Sequence, residues 1–253
     1  FWAWIPMGFP KETLKIYFAY LKDLCNIAKG ITKQGCVTMA IYAISISKGG
    51  VGKTTSGVHI IDEINPDVVF DLDLHNSLSV INRLRPDDKK WPIVTVSDKA
   101  ELLAHLKKVD EEGKTAVIDC GGFDADINRV AIAVADVIIV PANDDVTEQI
   151  GLATFDTVLA EISKQTGRDI QAHVLMCKTQ PNQKHFPDMD DTMKKVQHMT
   201  LLNGRLSYRK GRYGFTDSLR KGMGVTQIKH GRSSQAGREV IELVKELRAL
   251  AES

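Results

Sequence analysis

Ser47-Lys48-Gly49-Gly50-Val51-Gly52-Lys53-Thr54-Thr55 is the stretch on which the reading of the whole chain turns. The apolar run Ile41-Tyr42-Ala43-Ile44-Ser45-Ile46 precedes it, and a helix-compatible stretch from Thr54 to Ile64 follows. Strand, glycine loop, helix is an arrangement suited to an anion. Glycines have no Cβ to block close approach or forbid positive φ, so consecutive backbone N–H groups can converge on one phosphate. The start of the following helix adds its partial positive charge. Gly49, Gly50, Val51, Gly52, Lys53, Thr54 and Thr55 are therefore the expected nucleotide-binding set. Lys53 is placed for the β- and γ-phosphates, and the Thr54 hydroxyl for Mg2+. The plain alternative is a glycine-rich turn with a chance lysine.

Two further stretches follow in order. Val68-Val69-Phe70 reads as a short buried strand that ends in Asp71-Leu72-Asp73. Carboxylates at i and i+2 on a strand tip share a side, next to the glycine loop. The alternative is helix capping, for which Asp71, Asp73 and Asn76 are common residue types. Thr115-Ala116-Val117-Ile118-Asp119-Cys120-Gly121-Gly122 is an apolar run ending in an acid and glycines. In that position Asp119 suits a magnesium ion, commonly through water, and the glycines let the next loop move. Cys120 reads as a small buried residue.

Lys-Gly-Gly-x-Gly-Lys-Thr-Thr, with Ser47 where the usual phosphate loop has glycine, resembles the deviant loop of the ParA/MinD superfamily of ATPases. The resemblance spans residues 39 to 250 and is nearest to the small ParA type used by plasmids. It implies that Lys48 crosses a dimer interface to the partner's nucleotide, and that Asp73 positions the attacking water. It also implies that Asp71, with Thr54 and Asp119, belongs to the Mg2+ shell. Lys48, Asp73 and Lys53 are thus the expected catalytic residues. The family's Pro-Gln after the second aspartate is Leu74-His75 here, a departure that bears on the local geometry. The implied activity is slow, partner-stimulated ATP hydrolysis. The implied partners are a second copy of the chain, nonspecific DNA and a centromere-binding adaptor. A positioning or conjugative-transfer ATPase acting on a protein or membrane surface is the alternative.

Alternation of strand-like and helix-like stretches through the chain predicts an α/β fold, a single doubly wound, mostly parallel sheet flanked by helices. Expected strands include 91–96, 136–141 and 170–177, with helices over 98–108, 127–135, 143–162 and 238–251. Residues 83–90 read as a polar surface loop. Val240, Val244, Leu247 and Ala251 form one stripe of a helix whose charges are mixed, which suits core packing better than a membrane surface.

Of 253 residues, 43% are hydrophobic and 26% charged, with a net charge of +1, so disorder is not expected. Cys25, Cys36, Cys120 and Cys177 form no C-x-x-C pair, which argues against a zinc site, a disulfide framework or a cluster carrier. No apolar run reaches the roughly 18 residues that span a bilayer. A cytoplasmic, nucleoid-associated protein is the expectation.

Charge is unevenly distributed. Met199 to Arg238 carries nine basic residues and one acid, Asp217, a net +8 that leaves −7 for the rest. Arg205, Arg209, Lys210, Arg212, Arg220, Lys221, Lys229 and Arg232 are the candidate DNA contacts. A solvated surface is the alternative. Residues 1–38 are rich in aromatics, and 11–29 have helical apolar spacing. They are expected to be either upstream sequence ahead of Met39 or an added helix, with the ATPase domain over 39–253.

Overall fold

The computed structural model describes residues 39–46, 50–73, 75–96, 98–122, 125–183 and 185–253. The proposed N-terminal helix, Lys48 and Gly49 lie outside these residues. Seven strands form one sheet: β1 (Ile41–Ile46), β2 (Val68–Asp71), β3 (Ile93–Thr95), β4 (Ala116–Gly122), β5 (Val137–Ala142), β6 (Ala172–Thr179) and β7 (Met199–Ser207). Their order is β3-β2-β4-β1-β5-β6-β7, and every neighbouring pair is parallel. The helices are α1 (Lys53–Ile64), α2 (Ser77–Arg83), α3 (Lys99–Glu111), α4 (Asp126–Val134), α5 (Val146–Thr166), α6 (Pro187–Met193), α7 (Phe215–Ser218) and α8 (Gln235–Ala251).

Side chains alternate across each strand, so two cores form, one on each face of the sheet. Ala43, Phe70, Ile118, Ile138 and Val174 face α3, α4, α5 and α6 through Leu106, Ile132, Phe155 and Met189. Tyr42, Ile44, Val117, Ile139 and Leu175 face α1, α7 and α8 through Val58, Ile61, Phe215, Val240 and Leu247. Burial on both faces accounts for the unbroken apolar runs: all of β5 is buried. The expected core packing of the last helix holds, with Val240, Leu243, Val244 and Leu247 buried. No helix among the described residues is long and apolar enough to cross a membrane.

Three local readings are revised. Pro141 does not end its strand but lies within β5, opposite Leu175. β1 pairs with β5 only through Ile139, so the proline lies beyond the stretch with a neighbour on both sides. Residues 83–90 are not simply a surface loop, because Arg85 is buried. It makes two bonds to Asp62 (2.7 and 3.2 Å), donates to Gly222 O (2.6 Å) and Lys89 O (2.6 Å), and stacks 3.9 Å from the Trp91 ring. The basic stretch also begins with a strand, β7, rather than only a charged surface.

Candidate functional site

Parallel strands place all their C-terminal ends on one rim. β1 lies in the middle of the sheet; the chain leaves it for β2 on one side and returns through β4 to β5 on the other. That reversal opens a crevice at the tip of β1, where the glycine loop lies. Gly50 and Gly52 have φ of 88° and 107°, conformations that a side chain would strain. Gly52 is the cap of α1 and brings no side-chain hydrogen bond, and no acid occupies the first turn. Among the described residues no side chain caps the N–H groups of that turn, which suits them to an anionic ligand, with the helix dipole behind them.

Lys53 opens α1 and is 7% exposed. Its ammonium donates to Asp119 Oδ1 (2.7 Å) and to Asp73 Oδ2 (2.9 Å). Burial alone would lower its pKa, but the carboxylates of Asp119 and Asp73 outweigh that and raise it. Asp119 is almost wholly buried, which pushes its carboxyl up to about 6 against the pull of Lys53, with Asp71 and Asp73 adding repulsion. For Asp73, partial burial raises the pKa, but the His75 N–H (2.9 Å) and Lys53 hold it below the ordinary value. Asp71 and Asp119 are opposite one another across β2 and β4. Asp71 Oδ2 accepts from both the N–H and the hydroxyl of Ser79 (3.0 and 2.8 Å), which ties down α2. The two carboxylates expected on one side of β2 therefore take different partners: Ser79 for Asp71, Lys53 for Asp73.

The residues present fit a divalent cation. Two of the three carboxylates, Asp73 and Asp119, share Lys53, and among the described residues Asp71 Oδ1 and Asp119 Oδ2 are buried without a hydrogen-bond partner. Buried charge of that kind needs compensation. No cluster of three or more His, Cys, Asp or Glu arranged to hold a metal occurs among the described residues. Magnesium does not require one, since it commonly takes one or two carboxylates and completes its shell with phosphate and water. Thr54 and Thr55, half-buried, follow Lys53 in the first turn of α1.

Sequence reasoning left the exit of β6 unassigned. The structure brings Lys178 from that exit onto the glycine loop, its ammonium 2.8 Å from Gly50 O. The available signal was a lysine at the tip of a strand beside β5, but strand order was needed to use it. Lys53, Asp73 and Asp119, by contrast, converge as their order in the sequence implied.

The basic stretch meets the same rim, because Tyr208 N donates to Thr179 O (2.7 Å). Arg209, Lys210, Arg212, His230 and Arg238 line an open cleft of about 660 Å³ there. Lys210 lies 5.5 Å from the Tyr208 ring and Arg212 5.6 Å from that of Tyr213. Arg209 is engaged by Glu239 and Gln235, and Arg232 makes a bidentate pair with Glu63 (2.6 and 3.0 Å). Arg205 lies over the Phe186 ring, and Arg220 is 3.5 Å from Asp217. The free charge of this face is accordingly lower than its composition suggests.

The sequence matches no family model and no curated protein. Solved structures do match. MinD, a cell division protein of Aquifex aeolicus, is 15% identical at a TM-score of 0.60, covering 83% of this chain and 97% of its own. An ATP complex of a McdA variant from Cyanothece is 14% identical at 0.53, covering 85% and 98%. A ParA family ATPase from Chlorobium tepidum is 11% identical at 0.55, covering 83% and 99%. At these identities the likeness is one of fold, and the chain accordingly has the fold shared by MinD, McdA and ParA-family ATPases.

Proposed function

We propose that this protein is an ATP-hydrolysing switch of the ParA/MinD kind, used in partition: it dimerises on ATP and Mg2+, holds nonspecific DNA in that state and releases it on hydrolysis. The observation that carries the reading is Lys53, behind a glycine loop with two left-handed glycines, bridging Asp119 and Asp73 at 2.7 and 2.9 Å. In this reading the loop N–H groups of Gly49, Gly50, Val51 and Gly52, with Thr55, bind the phosphates. Lys53 exchanges carboxylate contacts for phosphate oxygens. Thr54, Asp119 and Asp71 hold the magnesium ion, which supplies charge neutralisation when bound. Asp73, kept ionised by the His75 N–H once Lys53 has turned to the phosphate, orients a water for in-line attack. Lys48 of one copy reaches the nucleotide of the other and offsets charge that develops during transfer. A centromere-binding adaptor stimulates turnover, so ATP times a binding state.

The test uses two variants. Asp73→Asn keeps ATP affinity within about threefold of wild type while hydrolysis falls by roughly two orders of magnitude or more, the usual scale for loss of a positioned base. Lys48→Ala keeps ATP binding but loses turnover and ATP-dependent dimerisation, read by light scattering. Wild-type hydrolysis by Asp73→Asn removes the catalytic assignment, and wild-type dimerisation by Lys48→Ala removes the cross-dimer role. Co-sedimentation with DNA and with liposomes separates partition from the positioning alternative. Packing of the apolar stripe of α8 into the core disfavours membrane attachment through that helix.

A further inference from the structure

We infer that Lys178 is a positioning residue for the phosphate loop: from the exit of β6 it holds the Gly50–Val51 peptide so that the following N–H groups face the anion. The inference rests on the nucleotide reading of the site. Three observations converge on it. Pairing of β6 with β7 slips between Cys177 and Thr179, so the ladder skips Lys178. Irregularities of this sort re-aim a side chain and are frequent beside active sites. Lys178 also has φ +55°. Asn65 and Asn76 share that region but are of a type that tolerates it, whereas a lysine there is uncommon and persists only where its surroundings hold it. Finally, the re-aimed side chain lies along the loop. Its Nζ donates to Gly50 O at 2.8 Å, and its Cε comes within 3.8 Å of where a Cβ on Gly52 would stand.

The consequence follows from peptide geometry. In a planar trans unit the C=O and N–H point opposite ways. A cation bound to Gly50 O therefore turns the Val51 N–H away from β6. With its side-chain amide turned so that the nitrogen donates, the orientation that satisfies both neighbours, Asn143 reaches Val51 O (3.2 Å) and Cys177 O (3.3 Å) and orients the next peptide in the same sense. Two successive loop carbonyls are drawn to the β5–β6 side, and two successive N–H groups are left for a polyphosphate. The ammonium lies behind the loop, on the carbonyl side, and does not belong to the buried Lys53 cluster.

Lys178→Met keeps the alkyl stem and removes the donor and charge; Lys178→Arg keeps both. Dissociation constants are measured for MgATP and for magnesium pyrophosphate, which has phosphates and no base or sugar. Thermal unfolding is measured without ligand. The expected result is a loss on the order of tenfold for both ligands in Lys178→Met, the scale of one hydrogen bond to a charged donor. Most of that loss is recovered in Lys178→Arg, and the midpoint of unfolding stays put because the side chain is exposed. Unchanged affinity for both ligands overturns the inference. So does a loss confined to ATP, which would put Lys178 on the base or sugar, and so does a loss matched by a fall in the unfolding midpoint. Wild-type protein that binds neither ligand overturns the nucleotide reading and this inference with it, whereas tight wild-type binding with an indifferent Lys178→Met sinks the inference alone.

Discussion

His59, one turn and a half into α1, carries no part of the chemistry yet joins the site to the basic half of the chain. Its Nδ1 accepts from Val225 N (3.0 Å) and its Nε2 donates to Phe215 O (3.0 Å), a pattern that only the neutral Nε2–H tautomer satisfies. Full burial drives its pKa down to about 4, against a smaller opposing pull from the Phe215 carbonyl. The unfolded chain takes up a proton below the ordinary histidine value of about 6.5, and the folded chain does not until near 4. Stability is therefore undiminished above about 6.5 and falls as the pH drops toward 4, by about 3 kcal/mol in all from this one group. Asp119, whose carboxyl is pushed up to about 6, acts in the opposite sense over the same window. The His59 contribution is therefore the difference between wild type and His59→Gln in urea denaturation at pH 7, 6 and 5. His59→Gln should be less stable at pH 7, and the gap should narrow as the pH falls. A gap that stays constant from pH 7 to pH 5 assigns the effect elsewhere. Legibility at this scale follows sequence distance. Lys53, Asp73 and Asp119 could be placed together from the sequence because each ends or follows a recognisable strand. His59, Arg85 and Lys178 find their partners 166, 137 and 128 positions away, and nothing in their neighbours announces those partners.

Among the elements, β7 and α8 show where periodicity gives out. β7 carries Asn203, Gly204 and Arg205 in its middle, so its apolar alternation is broken and its charge dominates the reading. What holds it is α8, whose Glu246 accepts from Asn203 N (2.9 Å) and Gly204 N (2.8 Å), and whose Leu243 packs on Gly204. The strands β1, β2 and β4 needed no such help, being apolar on both faces. α8 also holds a glycine that helix propensity would replace: alanine is preferred over glycine by about 1 kcal/mol in a helix interior. At Gly237 the sign should reverse. A Cβ there would stand 2.1 Å from Gly231 O and 2.9 Å from Arg232 Cα, both backbone, so the turn before α8 would have to move. Gly237→Ala should therefore destabilise the protein by about 2–3 kcal/mol, in the range of overpacked cores, as read by urea denaturation. A stabilised Gly237→Ala would mean that this helix start is looser than the contact implies.

At the scale of the whole molecule the question is whether the basic face reads DNA, and how strongly salt should weaken it. Composition offers eight candidate cations, but the structure separates them. Arg209 and Arg232 are already paired with Glu239 and Glu63, acids outside the basic stretch that the composition count could not connect to it. Lys210 and Arg212 line the cleft on the same rim as the glycine loop and, among the described residues, show stacking on tyrosines rather than a carboxylate partner. Each phosphate contact made by a lysine or arginine steepens the dependence of log affinity on log salt by about 0.9 for duplex DNA. Replacing both Lys210 and Arg212 by alanine should then weaken ATP-dependent DNA binding and lower the slope by about 2 per protomer, whatever the sequence of the duplex. Arg232→Ala frees Glu63 rather than removing a free cation, so it should leave the slope nearly unchanged. Fluorescence anisotropy with a labelled duplex across a salt series, with and without ATP, measures all of these. If the double variant retains the wild-type slope while Arg232→Ala reduces it, the DNA face lies away from the cleft; if no slope exists at all, the +8 stretch is a solvated surface, and the switch acts on something other than nucleic acid.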